Sequence, residues 1–167
     1  MAQLLCERHG FHRVSLGSIA RLHCLLRGLE PTRAAMQAAG DEIRGGDPAR
    51  LARLAMQMAP GEAEDVVIEG VRLRAEAEAL REAGYVGIAI HAPLNVRLER
   101  LQVRDGSVVV PAHHTETEAD LLPVDFHLLN DGRPYPWWRR REARVRTETL
   151  ARRVAHTLRR LRQREAI

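Results

Sequence analysis

The chain has 167 residues, of which 45% are hydrophobic, 29% charged and only 4% aromatic, a balance that fits one folded domain with a core of Leu, Val, Ile, Ala and Met. All 26 basic residues are arginine, which excludes a lysine Schiff base, a lysine general base and the lysine contact of an ordinary phosphate-binding loop. Cys6 and Cys24 make neither a disulfide framework nor a zinc knuckle, and with no signal-peptide pattern and no apolar run near the roughly 20 residues that cross a bilayer, a cytoplasmic protein without membrane insertion is expected.

Ala2 through His9 has the length of a short helix, and after Gly10 the segment Phe11–Leu16 reads as a short strand. Ser18 is the expected cap of a helix reaching about Leu29, with Leu22, Leu25, Leu26 and Leu29 as its apolar stripe. Pro31 suits a helix start, so Thr32–Ile43 continues as a second helix before Gly45 and Gly46. That lone glycine pair reads as a helix boundary. Asp47 and Pro48 open a third helix, with Leu51, Leu54, Ala55 and Met58 on its buried face.

Val66–Ile68 is a short strand feeding Glu69-Gly70-Val71-Arg72, and Leu73–Ala83 is the helix that returns from it. Val86–His91 is the next strand, and Pro93 begins a helix carrying Arg97, Arg100 and Arg104. Two strand-turn-helix passages in succession predict an α/β fold, an open and mainly parallel sheet with flanking helices, formed by residues 1–167 as a single domain. Within it, 107–123 is expected to be a lid segment, with Ser107–Val110 as a small strand or lid edge. Phe126–Leu129 is the expected last core strand, followed by the sharp turn Asn130-Asp131-Gly132. Residues 143–164 should form a basic amphipathic helix, docking through Val145, Leu150, Val154, Leu158 and Leu161. From Arg139 to Arg164, eleven arginines stand against Glu142 and Glu148; they either solvate that helix or attract nucleic acid, an acidic membrane or a partner. Trp137 and Trp138 add a stacking surface for nucleic acid, without an accompanying RNA-binding module.

Several residue types in this pattern point to chemistry. Glu69 ends a buried-type strand before a glycine turn, and strand ends of an open parallel sheet surround the cleft. Its carboxylate would hold Mg²⁺ through water, orient an acceptor, or simply stabilise the turn. Arg72 either binds an acceptor phosphate or pairs with Glu69. Asp41 and Arg44 are three apart and suit a local, solvent-facing ion pair. Arg97, Arg100 and Arg104 share one side of a helix, where guanidinium donors suit phosphoryl oxygens. His113 and His114 with Glu116 and Glu118 lack a fixed coordination spacing and read as a solvent-exposed or lid loop. Cys6 and His9 are one helical turn apart, and no Ser/His/acid arrangement follows from spacing.

Taken together, the Val66 strand, the Glu69–Arg72 turn, the Pro93 helix and the Leu128–Gly132 segment resemble the nucleoside-monophosphate-kinase and dephospho-CoA-kinase branch of the P-loop fold, over roughly Leu4 to Leu161. In that family a strand, a glycine-rich loop ending in Lys and Ser or Thr, and a helix come first. Met1 stands where that helix is already starting, so the first strand and loop are expected to be missing from the chain. Glu69 also stands where many relatives carry Asp.

The resemblance implies ATP-dependent, Mg²⁺-assisted phosphoryl transfer to a nucleotide or a phosphorylated metabolite for the complete fold, a deoxynucleotide and dephospho-CoA being fitting acceptors. It places Arg21, Arg33, Arg72 and Arg97 with the acceptor, Glu69, Arg100 and Arg104 at the transferring phosphate, and His114, Glu116 and Glu118 in the lid. Asn130 and Asp131 would approach the nucleotide base. Two other readings stand beside it: a non-catalytic nucleotide-binding or protein-interaction domain, and a nucleic-acid-binding protein using the basic C-terminal helix.

Overall fold

The computed structural model describes residues 1–60, 65–105, 121–130, 152 and 154–156, with the helical backbone alone at 104 and 105. The lid at 107–123 and the basic helix at 143–164 therefore fall mostly outside the described residues, as do Asp131, His113, His114, Glu116, Glu118, Trp137 and Trp138. Arg152 and Val154 to His156 are helical, with Val154 and Ala155 buried. The chain divides into two compact units, one made of Met1–Phe11, Ile90–Val110 and Leu129–Ile167, the other of His12–Ala89 and Pro111–Leu128.

Among the described residues, the second of these units carries most of the regular structure. Strand β1 (His12–Ser15) leads into helix α2 (Leu16–Leu26), then α3 (Arg33–Arg44), α4 (Arg50–Met58), strand β2 (Val66–Glu69) and α5 (Arg74–Glu82). Strands β1 and β2 run parallel, His12 opposite Val66 and Ser15 opposite Glu69, so α2, α3 and α4 lie on the crossover between two adjacent strands. Val14 and Leu16 bury against Leu51 and Ala55 of α4, with Val66 and Ile68 of β2 packed on the same cluster. Fully burying a side chain such as Leu16 or Leu51, each 2% exposed, contributes about 1.5–3 kcal/mol.

Local chemistry explains where the helices begin and where the expected boundaries shift. Ser15, not Ser18, caps α2: its Oγ accepts the Ser18 N–H at 3.4 Å. Thr32 caps α3 by accepting the Ala35 N–H at 3.2 Å, which leaves Pro31 just outside the helix. Asp47 accepts the Ala49 N–H at 3.0 Å, so Asp47 and Pro48 shape a turn before α4 instead of its first residues. Helix α2 ends when Gly28, at φ 69°, lets its N–H reach Leu25 O at 3.0 Å and the Leu29 N–H reach Cys24 O at 2.9 Å, a left-handed stop that glycine adopts without strain.

The buried face of α2 is a correction to the sequence reading. Leu22, Leu25, Leu26 and Leu29 are 48%, 55%, 79% and 51% exposed. The helix packs instead through Ala20 and Cys24 on Ala39 of α3, with Ala35 and Met36 closing the cluster. Small side chains let two helices approach closely, and that contact outweighs the greater hydrophobicity of the leucines. Met58, expected on the buried side of α4, is 56% exposed, whereas Leu51, Ala52 and Ala55 fill that side.

In the other unit, α1 (Ala2–His9) buries Ala2 and Leu5 and stops at Gly10, and α6 (Leu94–Asp105) buries Val96. Strands β3 (Ile88–His91) and β4 (Phe126–Leu129), each with residues in both units, form a second two-stranded sheet among the described residues. The Gly87 carbonyl accepts from the N–H groups of Asp125 and Phe126, and the His91 carbonyl accepts from Asn130. Pairing that advances in the same direction on both strands makes β3 and β4 parallel. The expected α/β class and short parallel strands with flanking helices are thus present.

Candidate functional site

Two strand edges, each described by itself, carry Glu69 in one case and Asn130 with Arg100 in the other. At the carboxyl end of β1 and β2, Val14 points into the core, so Arg13 and Ser15 face the other way, and Glu69 lies directly opposite Ser15. From its position one step along the diagonal, Arg13 reaches Glu69: Nε donates to Oε1 at 2.8 Å and Nη2 donates to the same oxygen. The pair stays in contact with solvent, Arg13 being 45% and Glu69 33% exposed.

Beyond Glu69 the chain turns at Gly70, φ 84°. A Cβ there would lie 3.7 Å from the Gly17 N and 3.8 Å from Leu16 Cβ, so the turn rests against the first residues of α2 in a backbone conformation that suits glycine. The next residues are clamped from below by Glu76, which is 0% exposed. Its Oε2 accepts the N–H groups of Arg72 and Leu73 at 3.0 and 3.1 Å, and its Oε1 accepts Arg44 Nε and Nη2 at 3.0 and 2.9 Å. The reach back to Leu73 is half of a capping box; leucine has no oxygen to return the bond. Arg44 also donates to Asp41 Oδ1 at 3.1 Å. The expected Asp41–Arg44 pair therefore exists, but only its Asp41 side is open to solvent, because Arg44 is only 9% exposed and serves chiefly to neutralise Glu76.

At the carboxyl end of β3 and β4, the Asn130 N–H donates to the His91 carbonyl at 2.7 Å. Arg100, one face of α6, donates through Nη2 to both the Asn130 carbonyl and its Oδ1, each at 3.2 Å. Two of the residues proposed from the sequence are thus in direct contact, and the bond fixes a half-buried guanidinium beside the strand ends.

Arg97 lies on α6, exposed. Arg104 continues the same helix by its backbone, and Asp131 lies outside the described residues. In the β1–β2 unit, Arg21 is on the second turn of α2 and Arg33 is the first residue of α3, both exposed, as is Arg72 in the turn after β2. Sequence reasoning missed Arg13, whose link to Glu69 depends on strand register, and Glu76, for which an acid at the third helical position was an available signal. Among the described residues no group of three His, Cys, Asp or Glu side chains is placed to hold a metal ion, and no helix is long and apolar enough to cross a membrane.

The chain is similar to proteins named UPF0200 protein in several archaea. That of Methanosarcina acetivorans is 35% identical over 99 residues, covering 56% of this chain and 53% of the relative. For Methanosarcina mazei the identity is 32% over 111 residues, 64% of this chain and 59% of the relative, and for Aeropyrum pernix 33% over 108 residues, 62% and 57%. The chain thus spans between half and three fifths of the length of these curated relatives. No family model and no solved structure matches it.

Proposed function

We propose that this chain binds a nucleotide or another phosphorylated small molecule at the carboxyl ends of its parallel strands, as part of a nucleotide-kinase-like protein whose complete form transfers phosphate from ATP. The observation that supports this reading is that Glu69 and Arg100 each stand at the carboxyl end of a parallel strand pair, the place where open α/β sheets take their ligands. Arg100 would donate to phosphate oxygens from a position set by Asn130. Glu69 would accept a hydrogen bond from an acceptor hydroxyl, its charge balanced by Arg13. Arg21, Arg33 and Arg72 would meet the acceptor, and Arg97 and Arg104 would extend the basic face of α6.

ATP and Mg²⁺ belong to this proposal as the phosphate donor and its charge-neutralising ion. The described residues fit the ion poorly. Magnesium is usually held by one or two carboxylates together with substrate phosphates, and the single carboxylate at this edge, Glu69, already receives both donors of Arg13 on one oxygen. What the chain itself supplies is anion binding by arginine in a protein that has no lysine.

Calorimetric titration of the chain with ATP, nucleoside monophosphates and deoxynucleotides tests the reading, alongside a turnover assay with labelled ATP. Saturable binding is expected, and Arg100→Ala should weaken it about tenfold or more, the worth of a hydrogen bond to a charged group. Glu69→Gln should retain binding and lower any turnover. The absence of saturable nucleotide binding would sink the proposal, as would a preference for polynucleotides that collapses with added salt, the mark of the basic C-terminal helix acting on nucleic acid.

A further inference from the structure

The side chain of Arg44 crosses from the end of α3 to Glu76 in the first turn of α5, and the two oxygens of Glu76 divide their work. Oε1 accepts Arg44 Nε and Nη2 at 3.0 and 2.9 Å, and Oε2 accepts the N–H groups of Arg72 and Leu73 at 3.0 and 3.1 Å. Glu76 is 0% exposed, so no solvent stands ready to replace either set. The Arg44 bonds go to Glu76 and Asp41, none of them to the turn itself. Gly40, one helical turn before Arg44, keeps open the space that the guanidinium fills, since a Cβ there would lie 3.1 Å from Nη1. Among the described residues α5 packs chiefly on α4. The Glu76 carboxylate is thus the point at which α3 acts on the chain after β2.

We propose that Glu76 makes the turn after β2 conditional on α3: it holds the Arg72 and Leu73 N–H groups only while Arg44 sits on its other oxygen. A buried carboxylate without its cation is too costly to keep in place. When Arg44 withdraws, the carboxylate leaves as well, and two N–H groups lose their acceptor. Residues 72 and 73 then depart from the path that Gly70 begins at φ 84°. Glu76 is therefore a positioning residue, acting through the main chain on whatever Arg72 meets. That Arg72 meets a phosphate rests on the nucleotide reading; the dependence of the turn on Arg44 does not. With that reading, α3 begins at Arg33 and ends at Arg44, so one helix carries one acceptor contact and sets the other.

Amide hydrogen exchange of the full chain, followed by NMR, reads the turn directly, with the β1–β2 ladder in the same sample as the reference for global opening. Arg44→Leu should speed exchange at Arg72 and Leu73 about tenfold or more relative to that ladder, the worth of a buried acceptor. Glu76→Gln should speed it too, because one amide oxygen then has to serve both Arg44 and the turn. Joining the two substitutions should slow it again, since that oxygen is then left to the turn alone. Where Arg44→Leu alone does not fold, the comparison of Glu76→Gln with the joined variant decides the matter. Turn amides no faster than the ladder in Glu76→Gln, or a joined variant as fast as Glu76→Gln, would overturn the proposal. Titration with AMP and ATP tests the consequence: Glu76→Gln should weaken binding about tenfold and have no further effect in an Arg72→Ala background. An unchanged affinity, or a weakening that persists without Arg72, would overturn the positioning role. A wild-type chain that binds neither nucleotide, with the exchange pattern as expected, would sink the nucleotide reading and leave the tie between α3 and the turn standing.

Discussion

Two glutamate–arginine pairs lie on either side of one turn, and their surroundings give them opposite roles. Glu76 and Arg44 are 0% and 9% exposed, and both Glu76 oxygens are spent, one on the Arg44 guanidinium and the other on two backbone N–H groups. Glu69 and Arg13 pair from the strand ends with a third or more of each side chain in water. Withdrawing two charges from water costs several kcal/mol, which the buried pair offsets only because every oxygen is satisfied. The exposed pair faces no such demand, since water can replace either partner at little cost. The turn from Gly70 to Leu73 is therefore fixed from inside by a pair that must not open, and presents outside a pair that water reaches.

Breaking the buried pair should give the largest effect. Glu76→Ala leaves Arg44 charged in the interior and two N–H groups without acceptors, and a loss of about 3–5 kcal/mol is expected in urea unfolding. The same measurement on Glu69→Gln should show a change below about 1 kcal/mol. Equal losses in the two variants would erase the distinction between them.

A smaller effect sharpens the contrast from the side of helix α3. Gly40 is buried in the middle of that helix, where replacement by alanine ordinarily gains about 0.5–1 kcal/mol. Here a Cβ would lie 3.1 Å from Arg44 Nη1. That guanidinium is bonded to Asp41 on one side and Glu76 on the other, so it is poorly placed to retreat. Gly40→Ala should cost about 1 kcal/mol instead of stabilising, as seen in the urea midpoint, and a gain would mean that the buried pair is looser than its bonds imply.

The strands and helices were legible where local pattern decides them. Short apolar runs bounded by glycine gave β2, β3 and β4 within two residues, and helix α1 followed from Gly10. Glu69 and Arg100 were legible as strand-end and helix-face residues, and Asn130 as a turn residue. What escaped depended on partners distant in sequence. Arg13 meets Glu69 across a gap of 56 residues and Arg44 meets Glu76 across 32, and neither contact leaves a periodic trace. The face of α2 was misjudged for a related reason: hydrophobicity favours the four leucines, but close approach to α3 requires the small Ala20, Cys24 and Ala39, and only the identity of the neighbouring helix reveals that.

The weakest of the expected effects separates electrostatics from burial altogether. Asp47 has its carboxyl held below the ordinary aspartate range, mainly by the hydrogen bond from Arg53, with the Ala49 N–H adding to it and desolvation opposing it. Arg53 Nη2 lies 2.6 Å from each Asp47 oxygen, at a site open to water. A carboxyl whose pKa is lower folded than unfolded stabilises the fold above its unfolded pKa. That contribution fades as the pH falls through the folded value, because the folded state must then take up the proton it had resisted. Melting temperature followed downward from about pH 5 should therefore fall slightly less steeply in Asp47→Asn than in the wild-type chain. Arg53→Ala should flatten the acid limb in the same way, since it removes the main cause of the shift. Both variants should match the wild type in its dependence on pH near neutrality, where Asp47 is ionised in either state. If either variant steepened the acid limb, the turn before α4 would owe its stability to something other than this exposed pair.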